Sequence, residues 1–430
     1  MAQRPSASSA RWSGVAVGLL LLLASLVTAL AGPGAAVALA AQADVGPQPC
    51  LGAPPRIDPS VPWAQSALGA DRVWPLTRGA GVTVAVVDTG VDAATPQLAG
   101  GRVLPGVDVS STPTPSAAGR ADSDCPGHGT FVAGIVAAAP MAGAGFVGVA
   151  PDAEILPVRV TAAGGGDGSL TTASLAAGIR VAVDLGARVI NVSASTDVND
   201  PQLEAAVRDA VARDAVVVAS AANGARSGDA VTYPASYPEV LAVGAVDAAG
   251  RHAEFSETGP YLGLVAPGVD VVSIGPGGAG QWRGSGTSYA APFVAGSAAL
   301  VRAYHPELDA TQVKHRLEVT ADHPPGTLPD PALGWGMVNP LAAVTAVLPE
   351  ENGDPSRLVV GPPPARPGPA PPAAGAGPVV AALGAVLAAL IMGATVFTAR
   401  LGRSGHRRGW KPARIAEVSN GAPVASGRGR

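Results

Sequence analysis

Residues 83–88 read Thr-Val-Ala-Val-Val-Asp, a short apolar run that ends in a carboxylate. A nearly continuous apolar run of this length is typical of a strand that is buried on both faces of a parallel sheet. Similar runs recur further along the chain, at 155–160, 189–192, 215–219 and 240–246. Stretches with helical patterning lie between them, at 131–138, 172–185 and 202–212. This alternation predicts an α/β fold with a mainly parallel sheet flanked by helices.

The composition of the chain excludes two broad classes of protein. The 430 residues carry a formal net charge of −4, and 47% of them are hydrophobic while 14% are charged. A disordered chain would be poorer in apolar residues and a nucleic-acid-binding protein would be basic, so we expect a folded protein without a nucleic-acid partner. Two cysteines, Cys50 and Cys125, are too few for a disulfide scaffold or for a zinc site built on cysteines.

An apolar segment near the N-terminus indicates export. Arg4 and Arg11 precede the apolar run at 15–30, and the small-residue sequence Ala-Gln-Ala follows at 41–43. Positive charge, an apolar region and such a cleavage site together are typical of a secretory signal peptide. A retained membrane anchor is the alternative. Because Pro33 and the cleavage pattern favour removal, we predict a signal peptide at 1–43.

A second apolar run, at 379–399, predicts one transmembrane helix. As a helix it would be roughly 30 Å long, which is enough to span a bilayer, and no charged residue interrupts it. A buried core helix is the alternative. The tail at 400–430 contains eight basic residues and one acidic residue. It obeys the positive-inside rule, which favours a cytoplasmic C-terminus.

These two segments bound an exported body. The stretch at 351–378 is rich in proline and is typical of a semi-rigid spacer. Between the signal peptide and this linker we expect a short N-terminal extension at 44–60 and one domain at 61–350. The predicted protein is a single-pass type I protein of the plasma membrane, with the domain on the extracytoplasmic side.

Three polar residues lie where active sites gather in α/β folds, beyond the carboxyl ends of strands. Asp88 directly follows the first apolar run, and His128 lies between two glycines where a helix is predicted to begin. Ser288 lies at a predicted helix N-terminus, with Pro292 tolerated in the first turn. Taken singly, the aspartate fits an ordinary turn and the histidine fits a structural role.

Together the three residues form the set that nucleophilic catalysis by serine requires. A serine is a poor nucleophile until a base takes its proton, and a histidine base needs a carboxylate to fix its tautomer. The chain reads Asp-Thr-Gly-Val-Asp at 88–92, Gly-His-Gly-Thr-Phe-Val-Ala-Gly at 127–134 and Gly-Thr-Ser-Tyr-Ala-Ala-Pro at 286–292. In this order the segments resemble the signature blocks of subtilisin-like serine proteases. The resemblance runs from about residue 61 to residue 348.

The resemblance implies a subtilisin-like fold and a role for each residue. Asp88 would orient His128, which would act as general base and then as general acid, while Ser288 would attack the scissile carbonyl. Asn223 falls at the position of the side-chain oxyanion donor, for which a plain turn is the alternative. The substrate-binding strand falls on four residues, namely Ser193, Ala194, Ser195 and Thr196.

Several positions depart from the family pattern. Ala222 stands where the family usually has glycine, and Ala291 replaces a serine without touching a catalytic role. The substrate-binding strand commonly reads Ser-Leu-Gly-Gly, whereas residues 193–196 read Ser-Ala-Ser-Thr. Side chains in place of glycine leave less room beside a peptide. We therefore expect a preference for small residues before the scissile bond.

The wider layout resembles the mycosins, the membrane-anchored subtilases of type VII secretion systems. The extension at 44–60 is too short for the folded prodomain of most secreted subtilisins. The resemblance implies a protein or peptide substrate and association with a type VII secretion membrane complex. Two alternatives stay open: a general degradative subtilase of the cell surface, and a scaffold of a secretion complex whose proteolysis is dispensable. We expect no cofactor.

The two cysteines and three loop aspartates complete the set of candidate residues. Cys50 and Cys125 lie on the predicted exported side, where oxidation is permitted, so we predict a disulfide that joins the extension to the loop before His128. Two free structural thiols are the alternative. The loop aspartates lack the spacing of a calcium-binding loop, so we interpret them as solvated charges and predict no metal site; they are Asp122, Asp124 and Asp167.

Overall fold

The computed structural model describes residues 50–110, 120–162 and 170–352. The predicted signal peptide, the apolar run at 379–399, the basic tail and all but the first two residues of the proline-rich linker lie outside these ranges. Within them, no helix combines the length and the apolar character needed to cross a membrane.

A parallel sheet forms the centre of the described residues. Its strands lie in the order β2-β3-β1-β4-β5-β6-β7, and each neighbouring pair is parallel. They are β1 (Thr83–Asp88), β2 (Val107–Asp108), β3 (Glu154–Arg159), β4 (Val189–Val192), β5 (Val216–Ser220), β6 (Leu241–Val246) and β7 (Leu262–Pro267). An antiparallel hairpin follows, formed by β8 (Val271–Ile274) and β9 (Gln281–Gly284). The predicted α/β fold with a mainly parallel sheet is confirmed.

Helices connect and cover the strands. The described ones are α1 (Trp63–Leu68), α2 (His128–Ala137), α3 (Thr172–Asp184), α4 (Pro201–Ala212), α5 (Thr287–Tyr304), α6 (Ala310–Val319) and α7 (Pro340–Thr345). The predicted helices at 172–185 and 202–212 agree with α3 and α4, and α2 begins at His128, where a helix start was predicted, three residues before the helical stretch at 131–138. Asp200 caps α4, because its Oδ1 accepts hydrogen bonds from the N–H groups of Gln202 and Leu203 at 2.7 and 3.3 Å.

The sheet separates two apolar cores, and β1 contributes to both. Val84 and Val86 pack in the core shared with α2 and α5, while Ala85 and Val87 pack in the core shared with α3 and α4. Successive side chains of a strand point to opposite faces, so a strand covered on both sides must be apolar throughout. This double burial explains the unbroken apolar run at 83–87 and holds the end of β1 in place.

Candidate active site

Asp88 is the last residue of β1, at the point where the strand order reverses. β1 lies between β3 on one side and β4 on the other, and crevices at such a switch point are the usual ligand sites of open α/β sheets. The side chain is 2% exposed, and its Oδ1 accepts a hydrogen bond from the N–H of Thr89 at 2.8 Å. The strand therefore presents a fixed and desolvated carboxylate at the carboxyl edge of the sheet.

His128 is the first residue of α2, and two glycines bring its helix close to Asp88. Gly127 has a φ of 83°, in the left-handed region that favours glycine. A side-chain carbon on Gly129 would lie 2.0 Å from the carbonyl oxygen of Gly90, a contact that no side chain permits. With this close approach, Nδ1 of His128 lies 2.8 Å from Oδ1 and 2.9 Å from Oδ2 of Asp88.

Ser288 extends this pair into a chain of three polar groups. Its Oγ lies 3.1 Å from Nε2 of His128, the ring nitrogen that does not face Asp88. The ring of Tyr289 packs against the imidazole with 5.1 Å between the ring centroids. The structure thus brings together an aspartate, a histidine and a serine that are far apart in the sequence.

The pKa of His128 is raised above the ordinary value for an imidazole. Burial disfavours the imidazolium and lowers the pKa, but the charge of Asp88, the hydrogen bond to it and the charge of Asp124 outweigh burial. Protonated His128 therefore stabilises the folded state at low pH, and this contribution is lost as the pH rises through the raised pKa. A neutral imidazole at this position is also favoured to accept a proton, as a general base must.

Asp124 is buried, so its interpretation as a solvated loop charge is wrong. The side chain is 5% exposed, and its Oδ1 accepts hydrogen bonds from Thr89 Oγ1 at 2.8 Å and from the Gly127 N–H at 2.9 Å. Its Oδ2 accepts two more, from the N–H and the Oγ1 of Thr130, both at 2.7 Å. Burial, assisted by the charge of Asp88, raises the pKa of Asp124 against the effect of these hydrogen bonds. Asp124 thus ties the segment after Asp88 to the first turn of α2.

The other two loop aspartates have different outcomes. Asp122 is partly exposed and pairs with Arg120, which fits its interpretation as a surface charge. Asp167 lies outside the described residues. Within the described ranges, no group of three or more histidine, cysteine, aspartate or glutamate side chains is placed to hold a metal ion.

Pro292 explains how the backbone of Ser288 is held. Helix α5 begins at Thr287, so Pro292 lies inside the helix and not in its first turn, where it was predicted. Proline has no N–H, so the carbonyl of Ser288, four residues earlier, lacks its helical partner. Ser193 Oγ donates to this carbonyl at 2.7 Å, and Asn191 Nδ2 donates to Ser193 Oγ at 2.9 Å. The end of β4 therefore fixes the start of α5.

Asn223 lies in an exposed turn after β5, and its amide oxygen is engaged. Oδ1 accepts hydrogen bonds from the N–H of Thr287 at 2.8 Å and from its Oγ1 at 3.0 Å. Nδ2 is therefore the group that remains for a ligand. A side-chain carbon on Gly286 would lie 3.1 Å from Ser288 Oγ and 3.5 Å from Asn223 Nδ2. The space that this glycine leaves open is thus bordered by the serine hydroxyl and the amide.

Ala222 is the departure from the family pattern with a visible structural consequence. Its φ is 83°, in the left-handed region where a β-carbon is crowded by the backbone. Glycine adopts this conformation without that cost. The turn that carries Asn223 therefore contains local strain at the residue before the amide.

The four residues predicted to bind substrate continue from the end of β4. Ser193 is buried and bonded to the Ser288 carbonyl, while Ala194 and Ser195 are half-buried. Thr196 pairs with Tyr233 through two backbone hydrogen bonds, of 3.0 and 2.8 Å. The segment is thereby joined to the loop that follows Asn223, and its effect on substrate size stays a prediction.

Cys50 and Cys125 form a disulfide bond, as predicted. The bond attaches the N-terminal extension beside Asp124, and the Leu51 N–H also donates to the Cys125 carbonyl at 2.8 Å. Further along the extension, the Asp58 N–H donates to Gln281 Oε1 in β9 at 2.7 Å. The described part of the extension is therefore held both next to the histidine loop and at the hairpin.

The sequence matches the subtilase family (Peptidase_S8) over residues 79–336. Mycosin-4 of Mycobacterium tuberculosis is 42% identical over 316 residues, which are 64% of this chain and 67% of that protein. Subtilisin Savinase of Lederbergia lenta is 39% identical, over 66% of this chain and 98% of the relative. The matched region contains Asp88, His128, Asn223 and Ser288, whereas the N-terminal extension lies before it.

Solved structures agree with the sequence relatives. The MycP3 protease from the type VII (ESX-3) secretion system is 37% identical and superposes with a TM-score of 0.60, covering 70% of this chain and 93% of that one. MycP1 from Mycobacterium smegmatis is 33% identical with a TM-score of 0.62, covering 76% of this chain and 94% of that one. The resemblance to mycosins that the sequence motifs indicate is confirmed by these relatives.

Proposed function

This chain is a serine endopeptidase that belongs to the subtilase family, and we propose that Asp88, His128 and Ser288 form its catalytic triad. One observation carries the proposal. The imidazole of His128 lies between the Asp88 carboxylate at 2.8 Å and the Ser288 hydroxyl at 3.1 Å, with one ring nitrogen toward each. Hydrogen-bond contact between nucleophile and base, and between base and carboxylate, is the arrangement that activates a serine.

In the proposed reaction, His128 acts first as a general base and then as a general acid. Nε2 takes the proton of Ser288 while Oγ attacks the scissile carbonyl carbon, and Asp88 stabilises the imidazolium through Nδ1–H. His128 then gives this proton to the leaving amine as the C–N bond breaks, which leaves an ester on Ser288. A water molecule deprotonated by His128 attacks the ester, and the proton returns to Oγ as the acid product departs.

The negative charge that forms on the carbonyl oxygen needs hydrogen-bond donors. We propose that Asn223 Nδ2 and the Ser288 N–H supply them. Support comes from the open space at Gly286, which the Ser288 hydroxyl and the Asn223 amide border at 3.1 and 3.5 Å from a hypothetical side-chain carbon. Because Thr287 holds the amide oxygen, the donating end of Asn223 keeps one direction.

The triad proposal is tested by removing the serine hydroxyl. Ser288→Ala should lose detectable hydrolysis of a chromogenic peptide while its thermal unfolding midpoint stays near that of the unchanged protein. Ser285→Ala is the matched control: it lies three residues before Ser288 and removes an exposed hydroxyl that accepts a hydrogen bond from the Asp270 N–H. Peptide hydrolysis at an unchanged rate in Ser288→Ala would contradict the proposal.

We further propose that the protease acts outside the plasma membrane as part of a type VII secretion machine. The mycosin relatives support this setting, one of them being described as the MycP3 protease from the type VII (ESX-3) secretion system. The sequence supports it through the predicted signal peptide at 1–43, the span at 379–399 and the basic tail at 400–430. In spheroplasts, added protease should degrade the domain at 61–350 and spare a tag placed after Arg430; loss of the tag with intact membranes would contradict this topology.

A further inference from the structure

The turn that carries Asn223 needs support beyond the contacts of the Asn223 side chain itself. Asn223 and Gly224 are exposed, and the residue before them is held in a left-handed conformation. Thr287 fixes the amide oxygen only if the backbone of the turn stays in place. A displacement of about 1 Å at a catalytic group can lower a rate by about a hundredfold, so the restraint on this backbone matters for catalysis.

Glu257 contacts the backbone on both sides of Asn223. It lies in the loop between β6 and β7 and is 1% exposed. Its N–H donates to the carbonyl oxygen of Ala222 at 3.1 Å. Its Oε1 lies against Gly224, where a side-chain carbon would be only 2.6 Å from this oxygen.

The second carboxylate oxygen of Glu257 contacts the loop that follows Asn223 at a later point. Oε2 of Glu257 accepts a hydrogen bond from the N–H of Ala230 at 2.9 Å. One buried side chain therefore joins the start of the loop at Gly224 to its continuation at Ala230. A buried carboxylate is costly unless donors surround it, and here the Ala230 N–H donates to one oxygen while burial and the neighbouring Asp229 carboxylate raise the pKa of Glu257.

We infer that Glu257 is a positioning residue for the oxyanion site, one that holds the turn so that Nδ2 of Asn223 faces the space beside Ser288. The inference rests on the proposed role of Asn223. Glu257 does not touch the substrate in this account, so its contribution passes through Asn223 alone. Its removal should therefore weaken stabilisation of the transition state without weakening substrate binding.

A double-mutant cycle on the full-length protein separates this role from a general structural one. Glu257→Gln keeps the shape but puts an NH₂ group in place of one carboxylate oxygen, either against Gly224 or against the Ala230 N–H. With a tri-alanine p-nitroanilide as substrate, we expect about a tenfold fall in kcat at unchanged KM. In a chain that already carries Asn223→Ala, the same change should alter kcat by less than about twofold.

The control is Glu254→Gln, the same chemical change on an exposed glutamate of the same loop, and it should leave kcat and KM unchanged. If Glu257→Gln lowers kcat equally with and without Asn223, or raises KM instead, the inference is wrong. If Asn223→Ala alone leaves kcat unchanged, the proposed oxyanion role fails and the inference fails with it. Should Glu257→Gln not fold, Glu257→Asp is used instead, since it keeps the charge but has a shorter side chain. It must also lower kcat in the presence of Asn223 and have little effect on kcat in the Asn223→Ala chain.

Discussion

The turns before His128 and around Asn223 each hold one side of the candidate site, but they are built differently. The histidine turn buries Asp124 and Gly127 next to α2, uses glycine for its left-handed residue, and is tied by four hydrogen bonds to Asp124 and by a disulfide. The Asn223 turn is exposed, has alanine as its left-handed residue, and depends on Thr287 and Glu257.

This difference indicates which properties each turn controls. A change at the buried Asp124 in the histidine turn removes interactions that also stabilise the fold, so activity and stability should fall together. A change at the exposed Asn223 turn leaves the two cores intact, so it should reduce the rate while the fold persists. The two turns can therefore be distinguished by measuring kcat and thermal unfolding on the same variants.

The largest effect is expected at Asn223. Asn223→Ala removes the proposed donor to the oxyanion, and loss of one such donor lowers kcat by about 10²–10³-fold. Because the variant also removes the acceptor of the buried Thr287 N–H and Oγ1, the thermal unfolding midpoint should fall modestly while the fold persists. Steady-state kinetics and calorimetry on the same preparation check both expectations. A large loss of stability with a small loss of kcat would remove the distinction between the turns.

An intermediate effect is expected at Asp124. Each carboxylate oxygen of Asp124 accepts two hydrogen bonds, and Asp124→Asn replaces one oxygen by an NH₂ group that cannot accept them. The free energy of unfolding should fall by about 2 kcal/mol. Since the charge of Asp124 helps to raise the pKa of His128, the acid limb of the kcat/KM profile should move to lower pH.

Asp122→Asn serves as the control for this variant, because Asp122 lies in the same loop but pairs with Arg120 at the surface. It should leave both the unfolding free energy and the acid limb in place. An acid limb that stays fixed or moves to higher pH in Asp124→Asn would show that the Asp124 charge does not act on His128.

The smallest effect is expected at Ala222. Ala222→Gly relieves the left-handed strain but adds freedom to the unfolded chain, so the net gain in stability should be about 0.5–1 kcal/mol. Denaturant unfolding measures this gain, and kcat should not change because the contacts of Asn223 are retained. A loss of stability would mean that the alanine methyl group packs favourably in this turn.

Much of the fold and the site could be predicted because local chemistry specifies them. The apolar runs identify strands buried on both faces, and the motifs around Asp88, His128 and Ser288 require glycine, a base and a nucleophile in close approach. Asp200 is a comparable case for helices: it caps α4, and an aspartate directly before a proline is a common helix start.

The rest depends on contacts between distant segments, which a single sequence does not display. Asp124 looks like an ordinary loop acid until Thr89 and Thr130 are brought to it by the fold. Glu257 likewise becomes informative only when its loop reaches Ala222. Proline is tolerated in the first turn of a helix, so Pro292 was predicted there. The sequence does not show that Ser193 donates to the Ser288 carbonyl in place of the missing N–H of Pro292.

The central claim is that His128 activates Ser288, and labelling with a serine-reactive fluorophosphonate tests it most directly. Tandem mass spectrometry should locate the label on Ser288 and not on Ser285, and no label should enter Ser288→Ala. The labelling rate should rise with pH through the raised pKa of His128, because only the neutral imidazole can accept the serine proton. Label on another residue, or undiminished labelling of Ser288→Ala, would contradict the account.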